Sequence, residues 1–107
     1  MKLGQEITFK NDFKIETLIT NTKLQVKKGD KAIATRTGLK ILNGEGIGKI
    51  TNYQEGEHIR GYDHRNIAKM VLNRINCVFD IEGFMMYEDI KKAEMIDEIE
   101  DVLTDIL

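Results

Sequence analysis

Apolar and polar residues alternate through much of the first sixty positions. Ile7 and Phe9 stand between Glu6, Thr8 and Lys10; Phe13 and Ile15 alternate with Lys14 and Glu16; Leu24 and Val26 alternate with Lys23, Gln25 and Lys27. A period of two puts apolar side chains on one face of a strand and polar ones on the other. Asn11-Asp12 and Gly29-Asp30 read as turns between these runs. Ala32-Ile33-Ala34-Thr35 and Leu39-Lys40-Ile41-Leu42 follow as two more strands separated at Gly38. Asn43-Gly44 is a further turn signal, because both residues tolerate positive φ. A last short strand is expected over 47–53, with a turn at Gly56. Five or six short strands at such spacing, with no crossover helix between them, predict an antiparallel barrel or sandwich.

After residue 60 the period changes. Ile67, Ala68, Val71, Leu72 and Ile75 fall on one face of a helix, with Asp63 placed to cap it and Asn76 to end it. Cys77-Val78-Phe79 is apolar and 80–83 interrupts the pattern. A final helix is expected from about Glu88 onward, striped by Ile96, Ile99, Leu103 and Ile106 and widened by Met95 and Val102. These elements predict an α+β fold: a small, strongly twisted antiparallel β-barrel over residues 5–60, followed by two α-helices packed on it. Sixty residues of strand alone bury little apolar surface, so a single domain over 1–107 is expected, with a barrel half over 1–60 and a helical half over 61–107.

Composition narrows the class. The chain has 107 residues, 41% hydrophobic and 32% charged, enough for a packed core. It has no long apolar run of membrane-spanning length, its first residues lack the apolar stretch of a secretory signal so none is expected, and Cys77 is its one cysteine. A cytoplasmic protein without disulfide, metal, cofactor or membrane association is expected.

The net charge of −2 conceals a division. Residues 1–60 carry eleven basic and seven acidic residues, whereas 61–107 carry five basic and eleven acidic ones. Lys23, Lys27, Lys28 and Lys31, extended by Arg36, Lys40 and Lys49, form a candidate phosphate-tracking face for DNA or RNA. Few aromatics accompany them, so base stacking is poorly supplied. On the last helix, Asp97, Glu98, Asp101 and Asp105 could imitate nucleic-acid phosphates, while Met95, Val102 and Ile106 could cover a protein partner or a second copy of the chain. Asp101 and Asp105 oppose the negative end of the helix dipole and call for a basic neighbour, a partner or plain tolerance.

Catalytic constellations are weak. Gly44-Glu45-Gly46-Ile47-Gly48-Lys49 is glycine-rich, but a phosphate loop needs glycine where Asn43 stands and Ser or Thr where Ile50 stands. His58 and His64 are six apart, a poor helical spacing for a shared metal. Cys77, in an apolar run, is expected to be a small buried hydrophobe rather than a nucleophile.

Val26-Lys27-Lys28-Gly29-Asp30-Lys31-Ala32-Ile33 followed by Gly46-Ile47-Gly48-Lys49-Ile50 resembles the turn–strand rhythm of SH3-like and KOW-type barrels. The resemblance covers 26–50 and implies an SH3-like barrel. Such barrels bind proteins, peptides or RNA, so it implies a fold more than a function. The expectation is therefore a non-enzymatic accessory or regulatory protein acting through protein–protein surfaces, with homodimerisation as one form of it. Two alternatives stand beside it: a nucleic-acid-binding protein using the basic half, and an acidic-helix inhibitor of a nucleic-acid enzyme, of the mobile-element type.

Overall fold

The computed structural model describes residues 1–16, 23–53 and 56–107. The expected barrel over 5–60 includes positions 17–22 and 54–55, which lie outside the described residues. The chain divides into two compact units, Met1–Gly61 and Tyr62–Leu107.

The described residues of the first unit form strands, turns and bends. Its strands are β1 (Glu6–Thr8), β2 (Phe13–Glu16), β3 (Lys23–Val26), β4 (Lys31–Ala34), β5 (Leu39–Ile41) and β6 (Ile50–Thr51). They form two antiparallel sheets, one in the order β1-β4-β5-β6 and one pairing β2 with β3. The expected closed barrel is thus corrected to two open sheets among the described residues. Neighbouring strands in the chain need not share a sheet: β1 passes over β2 and β3 to pair with β4. Turn chemistry shows where the chain bends but not which strand it will meet. The strand expected over 47–53 shrinks to Ile50–Thr51, because Ile47 and Lys49 are used in turns that donate their amides to Gly44 and Gly46 carbonyls.

Register explains the alternation. Ile7, Ala32 and Ile41 lie opposite one another, as do Ala34, Leu39 and Thr51, all on one sheet face. Ala32, Ala34 and Leu39 are buried there beneath Met1, Ile7, Phe9, Tyr53 and Ile59. The two alanines leave room for those larger side chains. In the second sheet Phe13 faces Val26 and Ile15 faces Leu24. Ile15, Val26 and Ile41 converge on buried Gly46, where a Cβ would lie 3.1 Å from Ile41 Cδ1. Short polar side chains hold the turns: Asp30 Oδ2 accepts the Lys27 amide at 2.9 Å, Asp12 Oδ1 the Lys28 amide at 2.6 Å, and Asn43 Oδ1 the Lys31 amide at 2.7 Å.

The second unit holds three helices, not the two expected: α1 (His64–Val78), α2 (Ile81–Tyr87) and α3 (Lys92–Ile106). Asp63 caps α1, accepting the Asn66 amide at 3.0 Å. Asn76 does not end that helix. It lies within it and accepts the Glu82 amide in the first turn of α2 at 3.0 Å. Asp80 caps α2 through the Gly83 amide at 3.1 Å.

The chain from Glu88 onward does not start the last helix; it closes the short one. Ile90 donates its amide to the Met85 carbonyl at 2.8 Å and Asp89 to that of Met86 at 3.3 Å, with Asp89 in the left-handed region at φ 55°. This is a Schellman-type termination, usually reserved for glycine at the left-handed position. α1 and α3 pair antiparallel around Ala68, Leu72 and Ile96, with Ile81, Met95, Ile99 and Leu103 packed against them. Arg65 near the start of α1 bridges Asp97 and Glu100 of α3, and His64 Nε2 lies 2.9 Å from the Leu107 carbonyl oxygen. No described helix is long and apolar enough to cross a membrane.

Candidate functional site

The seven candidate cations fall in separate places. Lys23 projects from the β2–β3 hairpin and pairs with Glu16 at 3.6 Å, both side chains exposed. Lys27 and Lys28 occupy the turn after β3. Gln25, on the same strand face as Lys23, is committed to backbone: its Nε2 donates to the Phe13 and Val26 carbonyls at 3.2 and 3.1 Å. Lys31 and Lys40 stand on the face of the larger sheet opposite Leu39 and Ile41. Arg36 lies in the β4–β5 bend, five residues beyond Lys31, or roughly 16 Å along an extended chain. Lys49 precedes β6 and is exposed. Glu16, Asp12, Asp30 and Glu45 are interleaved with these cations, Glu45 accepting the Gln25 amide at 2.8 Å.

The seven candidate partner residues divide by face. Met95 packs against the α1–α3 core, and Asp97 is held by Arg65. The hydrogen bonds to Asp97 and Glu100 push the Arg65 guanidinium pKa up. Glu98, Asp101, Val102, Asp105 and Ile106 are exposed. Val102 and Ile106, one turn apart, are 56% and 74% exposed. Glu94, Glu98, Asp101 and Asp105 recur at helical spacing and form a line along α3 beside them.

His58 belongs to the first unit and His64 to the second, and Cys77 is exposed within α1, which corrects the expectation of a buried thiol. The apolar run Cys77-Val78-Phe79 completes α1 at an outward-facing end rather than entering a core. Among the described residues no three of His, Cys, Asp and Glu gather as a metal site.

Two features escaped the residue pattern. The first is a cleft of about 650 Å³ in the β unit, floored by Ile7, Phe9, Phe13 and Leu39 and edged by Lys10, Asn52 and Glu57. Its Phe9 and Phe13 rings meet edge to face at 5.0 Å. Ile7 and Leu39 belong to the larger sheet, Phe13 to the smaller one and Phe9 to the link between β1 and β2, so no local spacing could announce the cleft. The second is an exposed apolar set on the helical unit. Phe79, Phe84, Met86 and Tyr87 are all exposed, Met86 and Tyr87 at 84% and 87%. A signal for it was present: Phe84-Met85-Met86-Tyr87 is a run of four large apolar residues, too many for the buried side of one short helix.

No protein-family model, curated protein or solved structure matches the chain.

Proposed function

We propose that the chain is a non-catalytic binding module that meets a protein partner through its helical unit. One observation carries this reading: twelve of the fourteen exposed large hydrophobic residues described lie in 62–107. Soluble monomers rarely leave extended apolar patches in water, and such patches mark interaction surfaces. An accessory or regulatory role suits a chain that offers this much exposed apolar surface. A reducing, cytoplasmic setting suits the lone exposed thiol of Cys77, which has no intrachain partner.

The test is affinity capture from the native host with and without nuclease, using the full chain and a Val71→Ser/Phe84→Ser/Ile106→Ser variant. The expected result is a protein retained after nuclease treatment and lost from the variant, with unchanged circular dichroism. Recovery of nucleic acid alone, or equal capture by both chains, rejects the proposal.

A second reading has its own observation. The exposed line of Glu94, Glu98, Asp101 and Asp105 spaces carboxylates about 5–6 Å apart along α3, a regular one-sided run of negative charge. An acidic helix of this kind would occupy the basic groove of a nucleic-acid enzyme. Glu98→Lys/Asp101→Lys should then release a basic partner that the apolar variant still retains.

A further inference from the structure

The corner between α1 and α2 carries exposed apolar side chains more densely than any other described part of the chain. Val78 and Phe79 close α1, and Phe84, Met86 and Tyr87 follow within eight residues, all five exposed. Two residues separate the helices, and α2 is seven residues long, about 10 Å. The five side chains therefore share one end of the helical unit. Ile81 and Met85, one turn apart, take the inward positions of α2. Phe84 and Tyr87, three residues apart, stand side by side on its outer flank.

The surroundings are acidic. Residues 79–90 hold Asp80, Glu82, Glu88 and Asp89 and no cation. Lys91 and Lys92 follow, and Lys92 lies 3.9 Å from Glu82. The whole segment 61–107 has eleven acids against five bases. A second copy is a poor occupant, because an isologous pair would set these carboxylates against their own copies. The exposed parts of three aromatic rings with Met86 and Val78 amount to roughly 600 Å², an area that one helix face or a short peptide can cover.

We propose that this corner is the docking site for a basic amphipathic segment of a partner protein. Its apolar anchors cover Phe84 and Tyr87, and its Lys or Arg residues face Asp80, Glu82, Glu88 and Asp89. The inference rests on the protein-binding reading above and adds the place and the chemistry of the partner.

The probe is a labelled amphipathic helical peptide with leucine on one face and lysine on the other, titrated with the full chain and followed by fluorescence anisotropy. Two control peptides replace lysine by glutamate or leucine by serine. The lysine–leucine peptide should bind at least about tenfold more tightly than either control. Phe84→Ser/Tyr87→Ser should weaken it by about tenfold or more, while Ile47→Ser leaves it unchanged. Circular dichroism verifies that both variants fold, which the exposure of all three residues favours. Equal binding of the glutamate peptide, or binding that survives Phe84→Ser/Tyr87→Ser, overturns the inference. So does a concentration-dependent dimer in sedimentation that this double variant abolishes, since the corner would then belong to a second copy. A host protein retained by the Phe84→Ser/Tyr87→Ser chain would remove the corner as the site while leaving the protein-binding function in place.

Discussion

Gly38 is a position where one added carbon has nowhere to go. Its φ is +154°, and a Cβ there would stand 2.4 Å from the Thr51 carbonyl oxygen and 2.9 Å from Ile50 Cγ2. Both belong to β6, so the clash falls on the β5–β6 pairing rather than on a movable side-chain tip. Gly48 provides the comparison, with φ +83° and open space around a Cβ. Gly48→Ala meets backbone strain alone, about 1 kcal/mol. Gly38→Ala adds the displacement of a paired strand and should cost about 2 kcal/mol or more beyond that. Urea denaturation of the two variants checks the order; equal losses would show that β6 yields freely. Tyr53 offers a different kind of test. Its hydroxyl donates to the Thr35 carbonyl at 2.5 Å, and burial pushes its phenol pKa up, with the negative charge of Glu57 adding to the push. An acid whose folded pKa is raised stabilises the fold below its unfolded pKa, about 10 for tyrosine, and loses that contribution as pH climbs through the folded value. Tyr53→Phe should therefore be less stable than the parent near neutrality by about 1 kcal/mol, the worth of the lost hydrogen bond. The gap should narrow above about pH 10. Denaturation at pH 8 and near pH 11 reads it, and a constant gap would contradict the assignment.

At the scale of elements, the helical unit shows what a single sequence can and cannot disclose. α1 was legible because a long amphipathic stripe and a capping aspartate agree with each other, as Ala68, Leu72 and Asp63 show. α2 was not. It spans seven residues, carries Gly83 inside it, and has Met85 as its one buried residue, so no periodic stripe can develop. The start of α3 was misplaced for a related reason. Glu88 and Asp89 are residues that favour the first turn of a helix, yet here they end one, and a non-glycine residue takes the left-handed position. The β unit divides in the same manner. Alternation at Phe13, Ile15, Leu24 and Val26 disclosed the strands and their inward faces, but the pairing of β1 with β4 depends on contacts that no local pattern encodes. Of the candidate site, the acidic stripe of α3 was readable from spacing alone. The α1–α2 corner was not, because its exposure depends on α2 being a helix. The Schellman-type turn yields a prediction of its own. Asp89→Gly removes the steric cost of φ 55° while preserving both backbone hydrogen bonds, and should raise stability by up to about 1 kcal/mol. A thermal melt no higher than the parent's would mean that the Asp89 side chain repays that cost with an interaction of its own.

Across the whole molecule, the division of charge bears directly on the choice between protein and nucleic acid. A cationic half invites the view that it follows a phosphate backbone, and seven candidate cations acting together would make the salt dependence steep. Each phosphate neutralised on a duplex releases condensed counterions and contributes about −0.9 to the slope of log K against log salt, so seven would give roughly −6. The fold distributes them otherwise. Lys23, Lys27 and Lys28 share the β2–β3 hairpin and its following turn; Lys31 and Lys40 sit on the larger sheet; Arg36 is at the far bend. Lys23 is already shared with Glu16, and Asp12 and Asp30 flank the turn after β3 through their bonds to the Lys28 and Lys27 amides. A duplex can then engage about three of them at once, and its binding should be weak at low salt with a slope no steeper than about −3. Replacing Lys23, Lys27 and Lys28 by alanine should abolish that residual binding without altering stability, because all three side chains are exposed. Filter retention of duplex DNA across a salt series decides the matter. A slope near −6 would mean that the cations act as one track, and it would shift the function from a protein partner to nucleic acid.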